Sequence, residues 1–308
     1  MYYQISFPDR LKAFFSSRSA LPKLILINVG IWILIRFLGV FAFLFSSPGG
    51  DPSLALFSFV MRWLAVPAEI GQILGKPWTI FTYMFLHIDF FHILFNMLWL
   101  FWFGQIFLQY LNNRQLVFTY ISGGLAGAVF FILFYNLFPV FSNSLPVALA
   151  LGASASVLAI VVAIAFRVPD YTIYLLLIGP VKIKYIAIFS VIIDFFMIRS
   201  GNAGGHIAHL GGALWGFLYM RTLSKGIDMS LLFSGFRISG ISKLFRTRKK
   251  SPFKNVYTSD KPMTDDEYNF YKVKNQEKID QILEKIKRSG YDSLSREEKE
   301  FLFSNSRR

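Results

Sequence analysis

Residues 152–156 read Gly152-Ala153-Ser154-Ala155-Ser156 and lie between an uncharged loop, 139–151, and a short apolar helix predicted over 154–166. A helix of that length rises about 20 Å, whereas the hydrocarbon core of a bilayer is about 30 Å thick. If Arg167 marks the cytoplasmic face, Ser154 is expected about 10 Å below the outer face of the membrane. The stretch therefore predicts a hydroxyl group placed inside a bilayer.

The composition of the whole chain is that of a polytopic membrane protein. Of its 308 residues, 54% are hydrophobic, 18% are aromatic and 16% are charged, whereas soluble domains carry roughly a quarter of charged residues. The absence of cysteine excludes disulfides, a thiol nucleophile and thiolate metal sites. All four histidines fall in the apolar part of the chain, namely His87, His92, His206 and His209.

Six apolar segments are predicted to span the membrane, and they cover 21–45, 90–110, 116–138, 154–166, 185–198 and 206–223. Lys and Arg collect on one side of these segments, which predicts that both termini are cytoplasmic. The second, fourth and sixth spans then begin at the outer face and run inward. Asp89 is a predicted N-cap of the second span.

The segments between the spans carry signals of their own. Residues 1–20 predict an N-terminal cytoplasmic, interfacial segment, and the apolar residues 51–85 predict a first loop half sunk in the interface. A strand-like hairpin is expected over 171–184, and 201–205 reads as a flexible link. By residue count, Arg36 and Asp194 both fall in the middle-to-outer part of the membrane, and a structural pair between them is one interpretation that stays open at this point.

Beyond the membrane domain, 21–225, the sequence predicts a basic linker, 226–262, and a small helical cytoplasmic module, 263–308. Residues 221–308 carry 20 Lys and Arg against 12 Asp and Glu, which predicts a face on anionic lipid. Nucleic acid is not an expected partner because no fold motif supports it.

The module is predicted from two capping boxes, a terminating glycine and an apolar stripe: Thr264 with Glu267, Ser295 with Glu298, Gly290, and Ile279, Ile282, Leu283 and Ile286. A hairpin this small needs a partner, which the sequence does not name.

Polar residues gather at the outer ends of three predicted spans. His92 and Asn96 are spaced i, i+4 on the second span and share a face. Counting residues places Asn96 about 10 Å and His209 about 6 Å below the outer face, near the depth of Ser154. An imidazole can remove the serine proton and later protonate a leaving amine. Side-chain amides and free N–H groups at a helix N-terminus can hold an oxyanion.

Taken together, the motifs resemble those of the rhomboid intramembrane serine proteases. They read His87-x4-His92-x3-Asn96, Gly152-x-Ser154-Ala155 and Ala208-His209-x2-Gly212-x3-Gly216, on three helices in the order of that family. The resemblance covers about residues 20–225. It implies an all-α membrane protein, a six-helix bundle with a semi-buried first loop, to which this chain adds its C-terminal appendage.

The resemblance also implies roles by position. Ser154 matches the nucleophile and His209 the general base, while His92 and Asn96 match the oxyanion hole with the Ser154 N–H. Four residues match supporting positions, namely His87, Gly152, Gly212 and Gly216. No cofactor or metal is implied. The expected substrates are transmembrane segments of other proteins, near their outer ends, and the expected location is a bacterial inner (cytoplasmic) membrane.

Three departures from the family pattern concern Thr79, Gln109 and Leu158, which stand where many or some members have arginine, an acidic residue and tyrosine. Two other functions remain open. A rhomboid-like protein without activity could bind membrane clients, and histidines at two helix ends could hold a zinc ion. Ser156 is interpreted as a packing residue, and His206 lacks the glycines that follow His209.

Overall fold

The computed structural model describes residues 6–17, 19–46, 52–175, 178–199, 201–233 and 265–305. The chain divides into two compact units, Met1–Ile238 and Ser239–Arg308. Both units are mainly helical, and the candidate site belongs to the first.

The first unit begins with three helices. These are α1 (Phe7–Ser16), α2 (Ala20–Leu44) and α3 (Pro52–Leu64). Ser19 caps α2 by accepting a hydrogen bond from the Leu21 N–H, and the predicted first span is confirmed as a helix. The interfacial position of 1–20 stays a prediction.

The segment after α3 folds into short elements against the bundle. Strand β1 (Val66–Pro67) is followed by α4 (Ile70–Gly75), α5 (Thr79–Thr82) and a 3₁₀ turn, Tyr83–Phe85. Val66, Ala68, Tyr83 and Met84 are buried. This part of the segment packs against the bundle, and the position of residues 51–85 in the membrane interface stays a prediction.

Three helices form the centre of the first unit: α6 (Phe90–Tyr110), α7 (Asn113–Leu137) and α8 (Ser154–Arg167). Asp89 caps α6 as predicted, since its carboxylate accepts a 2.8 Å hydrogen bond from the His92 N–H. Strand β2 (Leu149–Ala150) pairs antiparallel with β1 and leads into α8. Most of α8 is buried because α6, α7 and two later helices contact it.

The remainder of the first unit is a hairpin and two helices. The hairpin, β3 (Thr172–Leu175) and β4 (Gly179–Lys182), precedes α9 (Ile183–Met197) and α10 (Ala203–Ser224). The predicted flexible link over 201–205 is wrong, because α10 already begins at Ala203. Asn202 caps that helix by accepting a hydrogen bond from the Gly205 N–H at 3.2 Å.

By length and composition, three of the described helices could cross a membrane, namely α2, α6 and α7. The helix α8 is apolar but shorter, with 14 residues. The predicted count of six spans stays a prediction.

Asp228, just after α10, holds the end of the membrane unit together. Its carboxylate accepts hydrogen bonds from Arg114 and Gln115 on α7, both at 3.1 Å, and from Tyr219 on α10 at 3.1 Å. The Ser230 N–H donates to it at 2.9 Å. Burial opposes ionisation, but the hydrogen bonds of Ser230 and its neighbours outweigh it and hold the pKa of Asp228 below its usual range. Asp228 and Ser230 are thus packed against the bundle, although the sequence predicted a linker there.

We expect Asp228→Asn to lower the free energy of unfolding by about 2 kcal/mol, because several donors lose a charged acceptor. The matched control is Asp170→Asn, since Asp170 accepts from Lys182 and Lys184 but is 65% exposed, and exposed pairs contribute little. Denaturant unfolding in detergent measures both. The difference between wild type and Asp228→Asn should fade as pH falls through the lowered pKa, and an equal loss in the two variants would contradict the assignment.

The second unit is a helical hairpin of α11 (Asp265–Ser289) and α12 (Arg296–Asn305). Gly290 ends α11 with φ +77°, and Ser295 and Glu298 form the predicted capping box. Thr264 lies outside the described residues. Of the predicted stripe, Ile282 is buried, whereas Leu283 is 52% exposed, so the hairpin covers only part of its apolar face.

Candidate active site

Ser154 is the first residue of α8 and is placed by the glycine two residues before it. Gly152 has φ +118°, a conformation open to glycine at little cost. Its N–H donates to the Tyr83 carbonyl at 2.9 Å, and a Cβ added there would lie 2.7 Å from His92 Nε2. The glycine therefore lets the chain turn into α8 directly against His92, with the serine at the helix N-terminus.

A cavity of about 640 Å³ contains the predicted polar residues of three helices. It is lined by Ser154 of α8, His92 and Asn96 of α6, and His209 of α10, and also by Asp194 of α9. Aromatic and aliphatic side chains form much of the remaining wall, namely Phe91, Phe95, Trp99, Val157, Leu158 and Phe189. The structure thus brings the hydroxyl, both imidazoles and the amide to one apolar space.

His209 is oriented by a carboxylate. Its Nδ1 lies 2.8 Å from Asp194 Oδ1, and Asp194 is buried with 7% exposure. A neutral imidazole that donates from Nδ1 keeps Nε2 as an acceptor, which is the state a general base requires. The same oxygen lies 2.7 Å from His206 Nδ1. His209 lines the cavity with Ser154, whereas His206 is not among the cavity residues.

Asp194 is the functional residue that the sequence reasoning missed. The interpretation that pairs Arg36 with Asp194 is wrong, because Arg36 donates to the Ile88 carbonyl and its Cζ lies 4.7 Å from the Phe57 ring centroid. A signal existed in the sequence, since Asp194 is the one acidic residue within the six predicted spans. A short turn joins α9, which carries Asp194, to α10, which carries His209. The adjoining ends of these two helices therefore had to lie at similar depth.

The predicted oxyanion residues, His92 and Asn96, line the same cavity as Ser154. Asn96 Nδ2 donates to the His92 carbonyl at 2.9 Å, and a side-chain amide has a second N–H to offer. His87 is not among the cavity residues, and its Nε2 lies 3.4 Å from the Ala153 nitrogen, which donates to it. Burial, with a contribution from His92, lowers the pKa of His87 to about 3. A neutral His87 accepts this N–H and supports the turn before Ser154.

The glycines of α10 allow it to lie directly on α8. A Cβ at Gly212 would overlap the Ala155 carbonyl oxygen, and one at Gly216 would overlap that of Ala159. On the other side, a Cβ at Gly127 of α7 would lie 2.6 Å from the Ala155 Cβ. Small residues therefore hold α8 between α7 and α10. Ser156 is fully buried, with its hydroxyl 4.0 Å from Met84 Sδ, as the packing interpretation predicted.

Comparison with known proteins decides the family. A family model described as Rhomboid domain matches residues 74–226, the part of the chain that contains every cavity residue. The chain belongs to the rhomboid family. Residues 263–308 match a second family, described as a family of unknown function, DUF6576.

The rhomboid chain is also similar to a plant protein, RHOMBOID-like protein 12, mitochondrial, from Arabidopsis thaliana. The two are 32% identical over 161 residues, which is 49% of this chain and 48% of the relative. The chain thus spans about half the length of the curated relative it matches. With its apolar helices, the rhomboid domain makes the chain an integral membrane protein. The relative is mitochondrial, so the comparison gives no support to the predicted bacterial inner membrane.

At two positions where this chain departs from the rhomboid pattern, Thr79 and Leu158, other contacts replace those of the usual residue. Thr79 is buried and donates from Oγ1 to the Lys76 carbonyl at 2.7 Å. The neighbouring Trp78 stacks on Trp63, with ring centroids 6.1 Å apart, and its indole N–H donates to the Trp63 carbonyl. The loop is therefore anchored without an arginine at position 79. Leu158 lines the cavity and cannot hydrogen-bond to His209, whose orientation comes from Asp194 instead.

Proposed function

We propose that this chain is an intramembrane serine endopeptidase that cleaves peptide bonds in or near transmembrane segments of other membrane proteins. Ser154 is the nucleophile and His209 the general base. The observation that carries the proposal is the placement of Ser154 and a carboxylate-bound His209 in one cavity. The relative's printed name says only that it is rhomboid-like, so the activity rests on this geometry and on the family.

The proposed reaction follows the chemistry of acyl transfer. His209 Nε2 takes the Ser154 Oγ proton as Oγ attacks the carbonyl carbon of the scissile bond. The carbonyl oxygen becomes an oxyanion, and the Ser154 N–H, His92 and Asn96 donate to it. The C–N bond then breaks, and the imidazolium gives its proton to the leaving amine. A water molecule, activated by His209, hydrolyses the ester and restores the serine.

The apolar walls of the cavity support a transmembrane segment as the substrate. Phe91 and Phe95 on α6 are 65% and 57% exposed, and Phe189 on α9 is 64% exposed. These rings border the space beside Ser154 and offer apolar surface to an entering helix. Because a peptide bond inside a helix is shielded, helix-breaking residues should favour cleavage. We place α9 as the element that moves to admit the substrate.

The proposed arrangement has six spans, α2, α6, α7, α8, α9 and α10, with both termini on the cytoplasmic side. Substrate recognition then occurs at the outer side, where Ser154 lies. The bacterial cytoplasmic membrane is the proposed location. Cysteine accessibility at positions 45 and 225, both exposed, tests the sidedness. Neither the cavity nor the family comparison identifies a partner for the helical module, 263–308.

We expect Asp194→Asn to reduce kcat about 10²-fold with little change in KM. The carboxylate stabilises the imidazolium that forms only during the reaction, so its loss acts on the transition state. Ser190→Ala, one turn earlier on α9, is the matched control because its hydroxyl already donates to the Ile186 carbonyl at 2.9 Å. Steady-state cleavage of a tagged substrate in detergent measures both variants. A rise in KM with an unchanged kcat would indicate a role in substrate binding and would refute the positioning role.

The alternative is a silent member of the family that binds membrane clients. It is disfavoured because Ser154, His209, His92 and Asn96 line one cavity. Incubating the purified protein in liposomes with a panel of tagged transmembrane substrates separates the two functions. Cleavage by wild type that is lost in Ser154→Ala supports the protease, whereas stable co-purification of uncleaved substrates with both proteins supports the alternative.

A further inference from the structure

We propose that Asp194, His206 and His209 form an inhibitory binding site for a divalent transition-metal ion of the zinc class. The proposal concerns the site of the proposed protease, and its inhibitory part rests on that function. The binding part rests on geometry alone and can be tested without any proteolysis.

The three donor groups already converge on one point. His206 Nδ1 and His209 Nδ1 lie 2.7 and 2.8 Å from the same oxygen of Asp194. One ligand atom from each residue lies within 4.8 Å of those of the other two. The histidines are spaced i, i+3 on α10 and share a face, while α9 brings the carboxylate from a second helix. Two imidazoles and one carboxylate are a ligand set that zinc accepts.

The distances from the carboxylate oxygen to the two imidazole nitrogens are shorter than those between the ligand atoms of a zinc site. Zinc binds imidazole nitrogen and carboxylate oxygen at about 2.0–2.2 Å, which places tetrahedral donors about 3.3 Å apart. Each nitrogen therefore has to move about 0.5 Å away from the carboxylate oxygen. Asp194 and His209 line the cavity, so an ion can arrive from there and keep a water molecule in its fourth position.

The charge of the cluster also favours a cation. Within the part of the chain that the structure describes, the ion-pair contacts of Asp194 are those with the two imidazoles. When both rings are neutral, the cluster carries one negative charge in a largely buried place. Burying a charge without an ionic partner is costly, and a divalent cation would offset it. The proposed mechanism uses His209 and Asp194 but assigns no role to His206. The metal site gives the His206 ring a role as the third ligand.

Metal binding at Nδ1 would stop catalysis through the tautomer of His209. In the resting state Nδ1 carries the ring proton and donates it to Asp194, which leaves Nε2 free to accept the Ser154 proton. A neutral imidazole that binds a metal through Nδ1 carries its proton on Nε2 instead. The number of ring protons is unchanged, but the base has lost its acceptor. Removal of the metal restores the active tautomer.

The binding test uses metal-free protein in detergent, titrated with zinc chloride in a calorimeter. We expect wild type and Ser154→Ala to bind one zinc ion per chain with equal affinity, and His206→Asn to bind at least tenfold more weakly. Asp170→Asn, which removes an exposed carboxylate, is the control for surface binding and should match wild type. A stoichiometric site unaffected by His206→Asn, or no binding at all, would overturn the proposal. Cobalt(II) absorption of the wild-type protein tests for imidazole ligation without any variant, in case His206→Asn is unstable.

The inhibition test follows cleavage of a tagged substrate against zinc concentration. Activity should fall with the same midpoint as binding and return on addition of a chelator. If the chelator abolishes activity and zinc restores it, the ion is a catalytic cofactor and the inhibitory proposal is wrong. If Ser154→Ala and wild type both bind zinc but neither cleaves any substrate, the metal site stands and the protease function fails.

Discussion

Ser154→Ala is expected to lower the rate of substrate cleavage by about 10⁴-fold or more, to the background of the assay. The Ser154 hydroxyl supplies the atom that forms the ester. Ser156 is buried against Met84, and the other serine that lines the cavity, Ser190 on α9, donates its hydroxyl to the Ile186 carbonyl. His209→Ala should cause a loss of the same order, because the two residues act as one unit. The double variant should therefore be no worse than either single variant.

Ser156→Ala is the matched control for the loss of a hydroxyl on the same helix. Its side chain packs beside Gly124 and Met84, so we expect folding and cleavage close to those of wild type. Cleavage of a tagged transmembrane substrate, followed by gel densitometry, measures wild type and the four variants. If Ser154→Ala kept a tenth of the wild-type rate while Ser156→Ala lost activity, the nucleophile would have been assigned to the wrong serine.

Gly212→Ala is expected to lower the free energy of unfolding by about 3 kcal/mol, a large effect for one methyl group. The added Cβ would overlap the backbone carbonyl of Ala155, and a backbone atom cannot rotate away as a side chain can. Separating α10 from α8 would also move Ser154, which is next to Ala155, relative to His209. We therefore expect activity to fall further than the unfolded fraction explains.

Two glycine variants test this reasoning. Gly30→Ala on α2 adds the same methyl group where nothing lies within 4 Å, so it should leave stability unchanged or slightly raised. Gly216→Ala overlaps the Ala159 carbonyl, one turn farther from Ser154, and should reduce stability as much but activity less. Thermal unfolding in detergent and cleavage rates measure each effect. Equal stability of Gly212→Ala and Gly30→Ala would show that α8 and α10 are not in close contact.

Local signals in the sequence were sufficient for most elements of the fold. Asp89 marks the first turn of α6, and Gly152 and Arg167 bound α8, because a cap, a glycine turn and a terminal charge act within a few residues. These features depend on neighbours in the chain, which a sequence displays directly. Gly212 and Gly216 were singled out only by the resemblance to the rhomboid motif, and their contact with α8 is seen in the structure.

Partners that are distant in the chain were harder to predict. Counting residues gave Arg36 and Asp194 similar depths, but depth does not say which way a side chain points around its helix. Asp194 instead faces α10, and Arg36 reaches the Ile88 carbonyl. Asp228 contacts residues more than 100 positions away, so its segment looked like the start of a linker. Hydrogen bonds between helices need the packed arrangement before they can be identified.

The Asp194 carboxylate also links the orientation of His209 to a movement of α9. Asp194 is one of three buried residues on that helix, with Ile183 and Ala187, while most of its aromatic side chains are exposed. If α9 moves to admit a substrate, its hydrogen bond to His209 must lengthen or break. The base would then be properly oriented only after α9 has closed again on the bound segment. This order would limit hydrolysis of unsuitable segments that enter only briefly.

The most direct test of the central claim is labelling of the purified protein in detergent with a fluorophosphonate, followed by mass spectrometry of the modified peptide. The account predicts a single adduct on Ser154 in wild type, no adduct in Ser154→Ala, and strongly slowed labelling in His209→Ala. Labelling of Ser154→Ala at the wild-type rate, or an adduct on Ser156, would contradict it.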